Sequence, residues 1–349
     1  MSDETPLKPS GIRSLRPRKV TIGRPEPVRR TVIGSAGTTR LAMYESHADV
    51  APAEWAEHHR EQLTADMHEH GGVYFRGFGI DAPKALERFA SVFVTDLFSE
   101  NGEHPRVTGN GRIYTPVFHP PEERLLWHNE NTFNLSGPTR IWFACVRPAD
   151  QGGETPVADS RTVYERIPHA VREPFERKGV MYTRSYGTGL GVHWRDVFRT
   201  DSRSAVEDQC RAAGLSYTWR GETLHTSCVR SGVIAHPVTG QPTWFNQAQH
   251  WHPYCLGAEM RQAVSAVFDE GDMPRNCFYG DGSVIPDEDM AEILRVYDEA
   301  ELVLPWAAGD VMMLDNLLMA HGRNPFQGER RLLVAMGGMI TYPVAEARP

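Results

Sequence analysis

The stretch Val311–Met336 reads VMMLDNLLMAHGRNPFQGERRLLVAM, and its ends are patterned differently from its middle. Val311–Asn316 is an apolar run of strand length, and Arg330–Arg331 open a second run, RRLLVAMGGMITY, with Gly, Asn and Pro punctuating the interval. The expectation is a strand, a polar turn holding His321, and a strand that begins with two arginines. Working outward, TRIWFACV (Thr139–Val146) is continuous enough in apolar residues to be a strand buried on both faces. GVMYTRSYG (179–187) is expected to be another strand.

Helices are expected between such strands. Ala51–His70 carries Trp55, Leu63 and Met67 at helical spacing, stops at Gly71-Gly72, and runs into the β-rich VYFRGF. A second helix is expected over Pro83–Leu97, then a turn-rich loop, NGEHPRVTGNGR. VEDQCRAAGLSYTWR reads as a helix leading to a strand, and AEMRQAVSAVFD and PDEDMAEILRVYDEAE as late helices. The last of these opens on Pro and acidic residues that suit the positive end of a helix dipole. Strand-rich segments of uneven length with helices inserted favour a mainly β fold, a sandwich or jelly roll, over a doubly wound α/β fold. GTGLG (187–191) lacks a full dinucleotide fingerprint and is expected to be a loop. Residues 1–40, rich in Arg and Pro, read as an irregular basic arm, and 41–349 as one domain.

The 349 residues are 40% hydrophobic and 23% charged, enough for a large core. A formal net charge of −8 argues against a nucleic-acid partner, which needs a basic face. Five scattered cysteines without a C-x-x-C pair read as reduced thiols in a cytoplasm. No segment approaches the ~20 apolar residues that cross a bilayer, and the N-terminus lacks a signal-peptide apolar core.

The chemistry starts at LLWHNENTFN (Leu125–Asn134). If WHNEN is extended, His128 and Glu130 point to one face and Asn129 away, which is chelate geometry; the alternative is an ordinary polar turn. A metal would need a third ligand, for which His321 is the best candidate. Two histidines and a carboxylate form the facial triad of non-haem Fe(II) oxygenases, leaving adjacent positions for a co-substrate and O2. Arg330 and Arg331 add weight, because an arginine carried into a core requires an anionic partner such as a ligand carboxylate. Thr155, in GGETPVADSR, could donate to the same anion. The pair His250 and His252 could bind zinc but has no carboxylate or cysteine nearby to complete a site, His236 precedes Pro237 in what reads as a turn, and His193 and His225 have no nameable partner.

The motifs WHNEN, FACVRPADQGGETPVADSR, HPVTGQPTWFNQ, PRNCFYGDGS and LDNLLMAHGRNPFQGERRLLVAM span 127–336, and GGVYFRGFG lies upstream. Together they resemble the Fe(II)/2-oxoglutarate dioxygenases related to taurine dioxygenase and clavaminate synthase. Within these, the likeness is greatest to the branch that hydroxylates amino acids, often on a carrier protein, in peptide natural-product pathways such as that of syringomycin. The resemblance implies a double-stranded β-helix (jelly-roll) core of the clavaminate synthase-like type. It implies iron on His128, Glu130 and His321, and 2-oxoglutarate held by Thr155 and one arginine of the Arg330-Arg331 pair. Matching the family's R-x-x-x-R pattern favours Arg331, and the position four on is Ala335, which argues against a sulfonate substrate.

Glu130 also bears on the reaction, because halogenases of this superfamily replace that carboxylate by a small residue. Hydroxylation is expected; desaturation or epoxidation would use the same ligands, and a silent jelly-roll binding protein is the reading from another class. Trp244, Asn246, Gln247 and His250 are candidate substrate contacts. The substrate is expected to be amino-acid-like, free or tethered to a peptidyl carrier protein. Whether the chain forms a homo-oligomer is left open.

Overall fold

The computed structural model describes residues 27–98, 112–187, 192–268 and 272–342. Its central sheet has six strands in the order Val28–Gly34, Arg40–Ser46, Gly72–Arg76, Val311–Asp315, Ser136–Arg147, Arg331–Thr341. All neighbours are antiparallel except Arg40–Ser46 with Gly72–Arg76. The run TRIWFACV lies inside Ser136–Arg147, flanked on both sides by strands, and Ile141 to Cys145 are all buried. A smaller sheet has Met319–Arg323 between Leu125–His128 and Val157–Asp159, and a third sheet runs Arg275–Tyr279, Val180–Tyr186, Thr223–Arg230, Ser216–Arg220.

Side-chain alternation sorts the apolar residues into layers. Ile141, Phe143, Met312, Leu314, Val334 and Met336 of the central sheet meet Val157 and Met319 of the smaller sheet in one cluster. The opposite face of the central sheet, with Trp142, Ala144, Met313, Leu333 and Ala335, is covered by Leu63 and Met67 of one helix and Leu86 and Phe89 of another. A third cluster beneath the smaller sheet joins Trp127 and Ala320 to Met290, Ile293 and Tyr297 of the helix Asp287–Ala300. The result is helix, sheet, sheet, helix: two sheets face to face, decorated by helices.

Several expectations are corrected. The expected 51–70 helix is two, Pro52–His58 and Arg60–His70, joined at His59, whose φ of −110° is not helical. It does stop at Gly71, in the left-handed region at φ 72°, with its N–H on Met67 O. The second helix ends at Ala90, not Leu97. The arm is not irregular throughout, since Val28–Gly34 is an edge strand whose Arg29 and Arg30 pair with Glu45 and Asp66. Residues 1–26 of the arm, 188–191 of GTGLG and most of the 101–112 loop lie outside the described residues. Among the described residues, no helix is long and apolar enough to cross a membrane.

Candidate active site

WHNEN is not extended throughout. The strand ends at His128, and Glu130 enters a turn in which Asn131 has φ 62°. The two side chains converge all the same, with His128 Nε2 4.0 Å from Glu130 Oε2. His321 is in the strand Met319–Arg323, not a turn, and pairs directly opposite His128 across the ladder. Their rings are 4.4 Å apart between centroids. One ligand atom from each of His128, Glu130 and His321 lies within 4.8 Å of the others. Two imidazoles and one carboxylate at that separation are a donor set suited to a divalent iron, with an open side facing a cavity.

The orientation of each ligand has a local cause. His128 Nδ1 is 3.0 Å from Leu126 O, a carbonyl that can only accept, so Nδ1 carries the proton and Nε2 keeps its lone pair. The same carbonyl accepts from His250 Nε2 at 2.8 Å, and the His250 ring packs 4.6 Å from that of His128. Burial, and then His128, push His250 down to about 3, so its ring is neutral at physiological pH. The Glu130 turn is clamped by Asn316, which accepts the Glu130 N–H at 2.7 Å and donates to Glu130 O at 3.0 Å and Pro138 O at 2.9 Å. Tyr342 Oη donates to Glu130 O as well. Asn129 points away from the cluster, into Asn316 O, and its own carbonyl accepts from Gln247 Nε2 at 2.6 Å. Nothing in the sequence singled out Asn316 or Tyr342; LDN lay within a recognised motif, but the groups Asn316 holds are backbone atoms far away in the chain.

The cluster opens into a cavity of about 520 Å³ that also contains Thr155, Arg184, Gln247, His250, Arg275 and Arg330. Of the two candidate arginines, Arg330 is the one beside Thr155. Its Nη2 is 3.5 Å from Thr155 Oγ1 and its Nε donates to Gly153 O at 2.7 Å. Gly153, at φ 73°, lets the backbone pass against that side chain, where a Cβ would meet Arg330 Cδ at 2.9 Å. Thr155 Oγ1 accepts from Trp306 Nε1 at 3.2 Å, leaving its proton to donate elsewhere. Among the described residues no carboxylate pairs with Arg330, and burial, then Arg323, pull it down to about 10. The preference for Arg331 is therefore corrected: Arg331 also lines the cavity but is exposed at the first position of the strand Arg331–Thr341, whereas Arg330, just before that strand, is the one set against Thr155. Within the strand Leu332 and Val334 face the cavity while Leu333 and Ala335 turn to the opposite core. Four residues beyond Arg330 stands Val334, which is apolar, as Ala335 is.

The substrate candidates divide. Gln247 and His250 line the cavity, whereas Trp244 packs on Phe175 in the core and Asn246 holds Gly232 O. Of the other histidines, His252 bonds Ile285 O, and His236 is buried against Asp315.

With this geometry in view, the sequence matches the taurine catabolism dioxygenase TauD, TfdA family over residues 39–336. The chain belongs to that family. Its TauD-type jelly roll uses Fe(II), 2-oxoglutarate and O2, and it is an Fe(II)/2-oxoglutarate-dependent oxygenase. The dapdiamide synthesis protein DdaC of Enterobacter agglomerans is 34% identical to it, covering 87% of this chain and 92% of that protein. A clavaminate synthase-like protein of Arabidopsis thaliana is 28% identical over 79% of this chain and 84% of its own. The solved taurine dioxygenase from Burkholderia xenovorans shares the fold at a TM-score of 0.50 and 16% identity, covering 89% of each chain.

Proposed function

We propose that this TauD-family oxygenase hydroxylates an unactivated C–H bond of an amino-acid-like substrate, free or held on a peptidyl carrier. In this reading His128, Glu130 and His321 hold the iron, and Arg330 with Thr155 holds the distal carboxylate of 2-oxoglutarate. The observation that carries it is Arg330: a desolvated guanidinium with no acid partner among the described residues, beside a hydroxyl with a proton to give, in the same cavity as the three-residue cluster. A buried cation left unpaired is costly, so an anionic ligand is what such a group is held for.

When bound, iron with 2-oxoglutarate and O2 supplies the oxidising chemistry, releasing succinate and CO2. The chain supplies position. Leu126 O fixes the His128 tautomer, Asn316 and Tyr342 hold the Glu130 turn, and neutral His250 adds no charge beside the ligands. Phe143, Ile141, Leu332 and Val334 keep the cavity wall apolar and exclude water from the reacting centre. Glu130 supplies a carboxylate where a halogenating relative would need the position open, which supports oxygen insertion.

Anaerobic addition of Fe(II) and 2-oxoglutarate is expected to give a visible charge-transfer band. His128→Ala and His321→Ala are expected to abolish both the band and succinate release; normal turnover in either variant would sink the assignment. The product mass tests the reaction: hydroxylation adds one oxygen atom, whereas desaturation removes two hydrogens.

A further inference from the structure

Elsewhere among the described residues, buried acids are met by arginines: Arg140 pairs with Asp315, Arg161 with Asp159, Arg76 with Asp310 and Arg30 with Asp66. The cavity departs from this rule. Arg323 there is answered by the carbonyls of Pro120 and Glu123, and Arg330 is accounted for above. Arg331, exposed, also borders the cavity; Arg184, half-buried, and Arg275, exposed at the start of its strand, are the remaining two. They stand directly opposite one another on adjacent antiparallel strands, Val180–Tyr186 and Arg275–Tyr279, and both line the cavity. Among the described residues, neither has a carboxylate within ion-pair distance.

Like charges placed directly opposite across a ladder destabilise a sheet, so this pair weakens the fold that carries it. The two are nevertheless oriented. The Arg184 guanidinium lies 4.7 Å from the Trp251 ring centroid and 5.4 Å from that of Phe133, two more residues of the cavity wall. His250, whose ring packs on that of His128, lines the same cavity, so the two arginines and the three-residue cluster face one space.

We propose that Arg184 and Arg275 form a two-arginine clamp for a carboxylate of the substrate, so that the substrate is anionic at the end it presents to this wall. This rests on the oxygenase reading above and narrows its substrate class. The carboxylate relieves the repulsion between the two cations and gains charge-assisted hydrogen bonds from both. It is a different anion from 2-oxoglutarate, whose distal carboxylate is assigned to Arg330 and Thr155. The carboxylate has two sources: the α-carboxylate of a free amino acid, or an acidic side chain when the α-carboxyl is blocked, as in a carrier thioester.

The test uses the full chain, anaerobic, saturated with Fe(II) and 2-oxoglutarate, and four probes: L-leucine, L-leucinamide, L-aspartic acid α-amide and L-asparagine α-amide. Perturbation of the charge-transfer band reads binding. At least one carboxylate probe is expected to bind while its amide does not; L-leucine identifies the α-carboxylate as the group held, and L-aspartic acid α-amide the side chain. Arg184→Gln and Arg275→Gln are each expected to weaken that binding by about 10-fold or more, with the starting band retained. Each is also expected to raise the Tm of the ligand-free protein, since repulsion is relieved, which separates loss of binding from misfolding. Equal binding of carboxylates and amides, no carboxylate binding, or wild-type affinity in both variants would overturn the clamp. If no band forms at the outset, the iron and 2-oxoglutarate assignment has failed instead.

Discussion

Arg330 reaches the cavity from just before the strand Arg331–Thr341, where its guanidinium donates to Gly153 O and lies beside Thr155, while Leu332 and Val334 share the cavity face within the strand. Its neighbour Arg331 is chemically identical and also borders the cavity, but it is exposed to solvent. Arg330→Gln is expected to weaken 2-oxoglutarate binding by about 10- to 100-fold, the worth of hydrogen bonds to a charged group, and Arg331→Gln to leave it nearly unchanged. Arg330→Lys recovers only part, because an ammonium lacks the bidentate fork. Titration of the charge-transfer band with 2-oxoglutarate measures all three; equal losses in the Arg330 and Arg331 variants would reject the assignment. The sequence does not separate the two arginines, because the ladder shifts register between Arg331 and Leu332 and alternation within LLVAM does not carry back to Arg330. His128, Glu130 and His321 were legible as residues, but the expected extended WHNEN was not their geometry.

At the scale of elements, the cluster depends on one strand pairing and one turn. His128 and His321 face each other across the ladder, so the sheet itself sets their separation. Glu130 lies beyond the strand end and has only its turn to hold it, which is the task of Asn316. The amide side chain satisfies the N–H and the carbonyl of Glu130 and bridges to Pro138 O on the long central strand. Asn316→Ala strands these buried backbone groups, at about 1–3 kcal/mol for each left unsatisfied, and frees the turn. The expected outcome is a lower Tm together with Fe(II) affinity reduced by about 10- to 100-fold, the usual effect of losing a group that orients a ligand. A metal titration beside a thermal melt measures both; unchanged Fe(II) affinity in the folded variant would show that Asn316 serves the fold alone. No periodicity in the sequence announces such a residue, because its partners are 178 and 186 positions away and belong to the backbone.

Across the whole molecule, the sheets were legible where apolar runs are continuous, as in Thr139–Val146 and Val311–Asp315, and illegible at the edge. Val28–Gly34 reads as a basic arm because its arginines look solvated, yet Arg30 is answered by Asp66, a buried carboxylate that also accepts from Tyr44. Asp315 plays a comparable part within the sheet. It lies at the end of a central strand, accepts from Arg140 on the adjacent strand and from the Leu317 N–H, and faces His236 Nε2 at 3.3 Å. Burial by itself would raise the Asp315 pKa, but Arg140 and then His236 outweigh it and hold the carboxyl below its ordinary 3.8. A pKa lowered in the folded state means that the unfolded chain binds the proton more readily. The stabilisation is therefore fully present above about pH 4 and is lost as pH falls through the folded value. Asp315→Asn removes the anion from Arg140 and His236, and is expected to cost about 3–5 kcal/mol at neutral pH, as breaking a buried pair from one side does. Because the wild-type advantage is itself titrated away by acid, the gap between the two proteins should narrow steadily below about pH 4. Urea unfolding from neutral pH into the acid range measures that gap directly; a gap that stays constant would mean that Asp315 stabilises the sheet by its shape and hydrogen bonds, and not by its charge.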